Sequence, residues 1–380
     1  MLLRCQNVLL DGQWQACDLR VAEGKIVEIS TDCSADGEQI LELGDLTLLP
    51  GLIDTHIHGY AGYDTMDGDE SALQAMSRAL LQAGVTAFLP TTMTAFPKDL
   101  LPALSAVGKL TGKNSGGARI LGAFAEGPFI SEAHRGAQPL AAISPVNFDL
   151  LEQMEEASDH TLKKVIFAPE IEGADALCKA LREKGIVPAM GHSSATYAEG
   201  QKAIDAGATV LVHSFNGMSG IHHREPAMLG AVMNRDEVYA ELILDGIHVH
   251  PAAANLLLKA KGSDKVVLIS DCMRAGGMAD GEYMLGDTKT FVKDGIARTA
   301  EGNLAGSTLK LMDAVKNAVE FLHIPLEEAV KMAAENPAKE LGVFDKMGSI
   351  AVGKYADLVA IDKDFKVKFA MVGGEVLFSE

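Results

Sequence analysis

The stretch LLPGLIDTHIH (48–58) decides the fold, because it joins an apolar run to a polar end that carries two histidines. Further stretches along the chain have the same form. They are VTAFLPTT (85–92), ILGAFAEGP (120–128), KVIFAPEI (164–171), IVPAMGHS (186–193), TVLVHSFN (209–216), ELILDGIHV (241–249) and KVVLISDC (265–272). Near-continuous apolar runs of this length are typical of parallel strands that are buried on both faces. The sequence therefore predicts a buried parallel sheet with one strand for each run.

Segments with helical periodicity lie between most of these runs. They include SALQAMSRALLQAG (71–84), DALCKALREKG (175–185), AEGQKAIDAG (198–207) and AAANLLLKAKG (252–262). Each of these ends in glycine, a residue that commonly terminates a helix. Strands that alternate with helices in this way predict an α/β fold, and the number of units predicts a (β/α)8 TIM-like barrel.

The two ends of the chain have a different pattern. Residues 1–48 and 346–380 consist of short strand-like pieces with glycine-rich turns, so we expect both ends to form one small β-sandwich domain beside a barrel at 49–345. The glycine-rich segment 272–306 predicts an excursion from the barrel. The helices expected to close the barrel are 307–322 and 325–341.

Composition and charge exclude several classes of protein. The chain has 380 residues, of which 48% are hydrophobic, enough for one large domain or a large and a small one. A formal net charge of −19 opposes binding to nucleic acid or anionic membranes. The sequence lacks a signal-peptide pattern and an apolar run of about 18 residues, so we expect no membrane span. Five scattered cysteines without a CxxC pair indicate reduced thiols and a cytoplasmic location.

Histidines and carboxylates end most of the predicted strands. These residues are His56, His58, Glu126, Glu170, His192, His213, His248, His250 and Asp271. The carboxyl ends of barrel strands carry the chemistry of barrel enzymes, and side chains two residues apart in a strand share a face. His56 and His58 therefore point the same way, and the whole set predicts a divalent metal site. We expect Glu170 to be structural and Cys272 to belong to the core.

The motifs resemble the amidohydrolase superfamily and, within it, the N-acetylglucosamine-6-phosphate deacetylases. They are PGLIDTHIHG (50–59), EGPFI (126–130), GHSSAT (191–196), HSFNGMSGIHHREPAMLGA (213–231), DGIHVHP (245–251), LISDCMRAGG (268–277) and NLAGST (303–308). The resemblance covers essentially the whole chain, and the NGM segment followed by REP separates these sugar-phosphate deacetylases from other amidohydrolases. The same segments also look similar to the N-acetylgalactosamine-6-phosphate branch.

The resemblance implies a set of metal ligands. Glu126, His192 and His213 would bind the main metal, and Asp271 would act as general base and then general acid. His56 and His58, with Glu126 as a bridge and Asp271 assisting, would hold a second ion if two are bound. Zinc is preferred, and iron, manganese or cobalt are alternatives.

The resemblance also implies substrate contacts. Asn216, Gly217 and Arg224 would hold the phosphate, with Arg224 reaching into the neighbouring subunit of a homodimer, and His248 would position the reacting amide. The residues expected to line the sugar and acetyl pocket are Ala137, Gln138, Leu304, Ala305 and Gly306. Gln138 stands where the family often has histidine.

The implied function is metal-dependent hydrolysis of N-acetylglucosamine-6-phosphate to glucosamine-6-phosphate and acetate, in amino-sugar catabolism. The galactosamine epimer is the first alternative. Dihydroorotases and hydantoinases usually bridge their metals with a carboxylated lysine at the end of strand 4, whereas FAPEIEG (167–173) has no lysine there. A non-catalytic binding protein is a more distant alternative, because it would be expected to lose the ligands that this chain retains.

Overall fold

A computed structural model describes residues 1–35 and 37–380. The strands are β1 (Leu2–Leu10), β2 (Gln13–Ala22), β3 (Lys25–Ser30), β4 (Ile40–Glu42), β5 (Thr47–Pro50), β6 (Leu52–Ile57), β7 (Gly59–Tyr60), β8 (Tyr63–Asp64), β9 (Val85–Thr92), β10 (Arg119–Ile120), β11 (Ala123–Ala125), β12 (Leu162–Phe167), β13 (Val187–Met190), β14 (Val210–Leu211), β15 (Tyr239–Ile243), β16 (Val266–Ile269), β17 (Gly281–Leu285), β18 (Thr288–Lys293), β19 (Ile296–Thr299), β20 (Leu358–Ile361), β21 (Val367–Val372) and β22 (Glu375–Ser379). The α-helices are α1 (Glu70–Leu80), α2 (Pro97–Leu110), α3 (Phe148–Ala157), α4 (Ala174–Glu183), α5 (Tyr197–Ala206), α6 (Ala227–Met233), α7 (Pro251–Lys261), α8 (Leu311–Leu322), α9 (Leu326–Ala333) and α10 (Glu335–Glu340).

The central sheet is a nearly closed parallel barrel. β6 pairs with β9, and β9 pairs with β10 and β11, which together occupy the third position. β11 to β16 then follow in chain order. The last strand returns to the first, where the Asp271 amide donates to the His56 carbonyl at 2.9 Å. The predicted barrel is confirmed.

Apolar patterning explains why these segments pack together. All eight residues of β9 are buried, as expected for a strand covered on both faces. In α1, Leu73, Met76 and Leu80 recur at helical spacing and are buried, and the Asp69 side chain caps the first turn by accepting from the Ser71 amide. This helix therefore covers the barrel with one apolar face.

The first predicted run contains two strands rather than one. β5 belongs to a sheet formed by the chain ends, and β6 begins the barrel after Gly51. A Cβ atom at Gly51 would lie 1.9 Å from the Thr86 hydroxyl oxygen, so only glycine fits where the chain passes from one sheet to the other.

Both chain ends form one eight-stranded sheet in the order β22-β21-β20-β5-β1-β2-β3, with β4 paired to β1. β5 and β20 join the two ends as antiparallel neighbours, with Leu49 opposite Val359. The sheet has its own hydrophobic core, which includes Leu3, Leu19 and Leu358. The predicted association of the two ends is confirmed.

Two further segments complete the chain. β17, β18 and β19 form an antiparallel three-stranded sheet within the predicted excursion. The helix expected at 325–341 divides into α9 and α10 at Ala334, whose φ of −133° is not helical. The Asn336 side chain there donates to the Ser263 and Val266 carbonyls at 2.7 and 2.6 Å, which ties α10 to β16. In the part of the chain that the structure describes, every helix is too short or too polar to cross a membrane.

Candidate metal centre

Three of the expected ligands follow their strands in an unusual backbone conformation. His192, His213 and Asp271 have φ values of 43°, 26° and 47°. Residues other than glycine rarely adopt positive φ, and such strain costs on the order of 1–3 kcal/mol per residue. The fold maintains this strain after the carboxyl ends of β13, β14 and β16, which is typical of a functional site.

The Glu126 carboxylate lies at the centre of the cluster. One of its oxygens, Oε1, is 3.3, 3.2 and 3.0 Å from the Nε2 atoms of His56, His192 and His213. Its other oxygen is 3.1 Å from Nε2 of His58. Asp271 completes the group, with Oδ1 at 3.2 Å from His58 and 3.5 Å from His56. The structure thus brings together all six predicted metal ligands.

The second ring nitrogen of each histidine, Nδ1, faces an acceptor outside the cluster. The acceptors are the Thr91 carbonyl for His58 (3.1 Å), the His134 carbonyl for His192 (2.8 Å), the Asn216 carbonyl for His213 (3.0 Å) and the Glu241 carboxylate for His56 (2.9 Å). Because these oxygens only accept, the proton of each neutral ring lies on Nδ1 and the lone pair of Nε2 faces Glu126. All four rings are therefore oriented as metal ligands.

Charge pairing within the cluster shifts the pKa values in opposite directions. Burial acts to lower the pKa of His56, but the carboxylates of Glu126, Glu241 and Asp271 raise it to about 10. Burial acts to raise the pKa of Glu126, but the facing His56 and the hydrogen bonds from the other histidines lower it well below its usual range. Without metal, protonated histidine rings balance the negative charge of these buried carboxylates, and a divalent cation would take the place of those protons.

The donor atoms fit a metal ion by distance and by type. Ligands at about 2.0–2.2 Å from a metal lie about 3.0–3.5 Å from one another, which matches the separations around Glu126 and Asp271. Among the described residues, the buried Nε2 of His56 has no hydrogen-bond partner. In two sets of three residues, the donor atoms of each set all lie within 4.8 Å of one another. They are His56, His58 and Asp271, and His56, Glu126 and His213.

A cavity of ≈ 160 Å³ opens directly above these ligands. The predicted substrate residues among its lining are Ala137, Gln138, Asn216, Gly217, His248, Leu304 and Gly306. Ala305 does not line it, because the side chain at this position is turned into a core with Met93 and Met273. The sequence reasoning included Ala305 by continuity of the loop and did not allow for the alternation of side chains.

The chain region 47–377 matches the model of the amidohydrolase family. The chain belongs to this family. It is 42% identical to the N-acetylglucosamine-6-phosphate deacetylase of Vibrio furnissii, over 99% of this chain and 94% of the relative. It is 39% identical to the N-acetylgalactosamine-6-phosphate deacetylase of Escherichia coli O157:H7, over 99% of this chain and 98% of the relative. The solved N-acetyl-D-glucosamine-6-phosphate deacetylase of Mycobacterium smegmatis, a variant in complex with N-acetyl-D-glucosamine-6-phosphate, is 32% identical, with a TM-score of 0.94 over 100% of this chain and 99% of that one.

Gln138 of this amidohydrolase holds the central carboxylate. Its amide nitrogen donates to Glu126 Oε2 at 2.6 Å, and its amide oxygen accepts from the Thr94 backbone at 2.8 Å. Both ends of the buried amide are therefore bound to protein atoms. The side chain lines the cavity, as expected, but it also fixes Glu126, a role that the sequence reasoning missed.

His248 and His250 lie in a loop, not at the end of a strand as expected, because β15 ends at Ile243. The His248 ring donates from Nδ1 to Asp245 at 2.6 Å and lines the cavity. Burial acts to raise the pKa of Asp245, but the hydrogen bond from His248 lowers it. His250 is exposed and caps α7 by accepting from the Ala252 amide. Asp245, three residues before His248 in DGIH, was not identified from the sequence.

Arg224 of this amidohydrolase is exposed, and its guanidinium contacts His223 at 2.8 Å. It is absent from the described residues that line the cavity of its own chain. Glu170 accepts from the Ser193 hydroxyl and the Ser194 amide, both at 2.6 Å, and thus has the expected structural role. Cys272 is fully buried, as expected for a core residue.

The sequence reasoning also missed three charged residues behind the metal ligands. Lys164, Glu241 and Glu340 have fully buried side chains and form a continuous set of ion pairs. Lysine and glutamate are almost never fully buried unless they are paired. The available signal was a charged residue at the start of each of two apolar runs, KVIF (164–167) and ELIL (241–244).

Proposed function

We propose that this amidohydrolase removes the acetyl group of N-acetylglucosamine-6-phosphate and releases glucosamine-6-phosphate and acetate. The observation that carries the proposal is the position of the Asp271 carboxylate at the cavity wall, 3.2 Å from His58 in a cluster of metal-ligand side chains. Amide hydrolysis needs such a carboxylate beside an electrophilic metal. The 42% identity to a deacetylase with this activity, over nearly the whole chain, identifies the amide.

The donor set suits one or two divalent ions, with zinc preferred. Glu126, His192 and His213 would hold the first ion, and His56 and His58, with Glu126 between the positions and Asp271 beside them, would hold the second. A bound ion would lower the pKa of a water molecule to about 7 and polarise the amide carbonyl.

Asp271 would move the protons. Burial acts to raise its pKa, but His56 and His58 lower it, so the group is a carboxylate at neutral pH and can accept a proton. It would take a proton from the attacking water and then deliver it to the sugar nitrogen as the C–N bond breaks. With Asp245 accepting from Nδ1 of His248, Nε2 would donate to the amide oxygen when the ring carries both protons, or accept from a sugar hydroxyl when it carries one.

The phosphate would lie at the Asn216–Gly217 end of the cavity. Arg224 has the planar fork that suits a phosphate group, and its guanidinium contacts the neighbouring His223 in its own chain. We infer that Arg224 enters the site of the partner subunit, which makes a two-fold homodimer the active form. Arg224→Ala should mainly raise KM for phosphorylated substrate, and unchanged kinetics would contradict this assignment.

The other assignments follow the same proposal. The barrel at 49–345 would be the catalytic unit, and 1–48 with 346–380 would support it. The five buried free thiols favour a reducing compartment, the cytoplasm.

The epimeric sugar phosphate is a second candidate substrate, because the chain is also 39% identical to an N-acetylgalactosamine-6-phosphate deacetylase. Acetate release should be measured from both sugar phosphates in parallel, on protein of known metal content. Unphosphorylated N-acetylglucosamine tests the phosphate site, and the Asp271→Asn variant is the control for contaminating activity. Faster turnover of the glucosamine substrate supports the proposal, faster turnover of the galactosamine substrate favours the second candidate, and no release from either refutes both.

A further inference from the structure

His56 differs from the other three histidines of the cluster in what orients it. The Nδ1 atoms of His58, His192 and His213 face backbone carbonyls, which no substitution can remove. Nδ1 of His56 faces the Glu241 carboxylate at 2.9 Å. The tautomer of His56 therefore depends on a side chain.

Glu241 is itself fixed by its neighbours. Its Oε2 atom accepts from His56 and, at 3.3 Å, from the His213 amide. Its Oε1 atom accepts from Lys164 at 2.5 Å, and Lys164 also donates to Glu340 at 2.9 Å. The side chains of the three charged residues are fully buried. Each oxygen of Glu241 therefore has a separate partner on a separate side.

We propose that Glu241 is a positioning residue that holds His56 with its proton on Nδ1 and so prepares the position formed by His56, His58 and Asp271 for a metal ion. A carboxylate can only accept, so the ring must donate from Nδ1 and direct the lone pair of Nε2 toward the cluster. The orphaned Nε2 atom of His56 lies on that side. The proposal rests on the metal centre of the proposed function and adds the residue that prepares one of its ligands.

The substitution Glu241→Gln should reverse the tautomer while preserving shape. Lys164 can only donate, and its charge makes it the strongest donor in contact, so the amide oxygen of the glutamine turns toward Lys164. The amide NH2 then faces Nδ1 of His56, which must accept. The ring proton moves to Nε2, where it blocks the metal. We expect the affinity for the more weakly bound zinc ion to fall about 10- to 100-fold.

A second variant separates this effect from simple loosening of the core. In the double variant Lys164→Met with Glu241→Gln, the donor that held the glutamine oxygen is gone. The amide can turn so that its oxygen accepts again from His56 and the His213 amide. Zinc affinity should therefore recover toward that of the unmodified protein, although the double variant changes more buried atoms than the single one.

Glu340→Gln is the matched control. Glu340 contacts Lys164 in the same network, and no hydrogen bond or ion pair in the structure links it to His56. The Glu340→Gln variant alters one ion pair of Lys164 that is as deeply buried as the pair with Glu241. A general weakening of the network would therefore reduce zinc binding in both single variants. The expected result is zinc affinity close to that of the unmodified protein.

The experiment is zinc content per chain by elemental analysis and zinc affinity by competition with a chelator, on the full chain of all four proteins, with thermal unfolding as the check of folding. Loss in Glu241→Gln, retention in Glu340→Gln and recovery in the double variant support the proposal. Equal affinity in Glu241→Gln and the unmodified protein, equal loss in both single variants, or no recovery would overturn it. An unmodified protein that binds neither zinc nor iron, manganese or cobalt refutes the metal centre of the proposed function instead, and this inference falls with it.

Discussion

Two histidine pairs have the same spacing in the sequence but different locations and contacts in the structure. They are His56–His58 and His248–His250. The first pair ends a buried strand, and both rings face Glu126. The second pair lies in a loop, where one ring lines the cavity and the other caps a helix on the surface. An HxH pattern thus places both side chains on one face only while the backbone stays extended. Gly246, with φ of 74°, turns the chain before the second pair.

The largest effect should come from the carboxylate beside the first pair. Asp271→Asn keeps the shape but cannot accept the proton of the attacking water, so we expect kcat to fall about 10²- to 10⁴-fold. Metal content should stay high, because His56, His58 and Glu126 remain. Steady-state kinetics and elemental analysis on the same sample test both parts. An active variant would remove the acid–base role from Asp271.

Removing the first pair tests whether it binds a metal. In His56→Ala combined with His58→Ala, metal content should drop to half if two ions bind, since the first ion would keep Glu126, His192 and His213. The measurement is metal per chain after dialysis. An unchanged number of metal ions per chain would indicate a single-metal enzyme. In that case neither histidine pair would bind a metal ion.

The cavity-lining member of the second pair should act on substrate and not on metal. We expect His248→Ala to lower kcat about 10²-fold, the cost typical of losing one donor to the developing negative charge. Asp245→Asn should reproduce part of this loss, because Asp245 orients the His248 ring at 2.6 Å. Metal content should not change in either variant, and a loss of metal would contradict the difference between the pairs.

The smallest effect should come from the surface member of the second pair. His250→Ala removes the side chain that caps α7, so we expect a loss of about 0.5–1 kcal/mol in the free energy of unfolding. Turnover and metal content should stay the same. Urea denaturation measures the stability, and the kinetic assay is the control. Reduced turnover would place His250 in the site after all.

The sequence predicted the structure correctly where the local apolar pattern and the alternation of side chains along a strand act together. β9 spans Val85–Thr92 as predicted, and the six predicted metal ligands converge as their strand-end positions required. It was insufficient where the partner is distant in the chain. Lys164 bonds Glu241 and Glu340, which are 77 and 176 residues away, and no periodicity signals such a pairing.

Local pattern also failed where side-chain contacts override it. The helical periodicity of 325–341 continues through Ala334, yet Asn336 binds two carbonyls near β16 and the helix is interrupted. The family resemblance implied that Gln138 contacts the sugar. The Gln138 side chain instead bonds Glu126 and Thr94, and these residues come close to it only when the chain folds.

The pairing of β5 with β20 has a consequence for biosynthesis. Thr47 lies opposite Ile361, so this pairing has a very high contact order and cannot form until translation has passed Ile361. At about 5–20 residues per second, the roughly 300 residues between them take about 15–60 s to emerge from the ribosome. During that time β5 lacks its neighbour β20, and the apolar side chains of β5 remain available to other nascent chains. A newly made molecule would therefore be most dependent on chaperones at its amino-terminal end, before Asp271 has been synthesised.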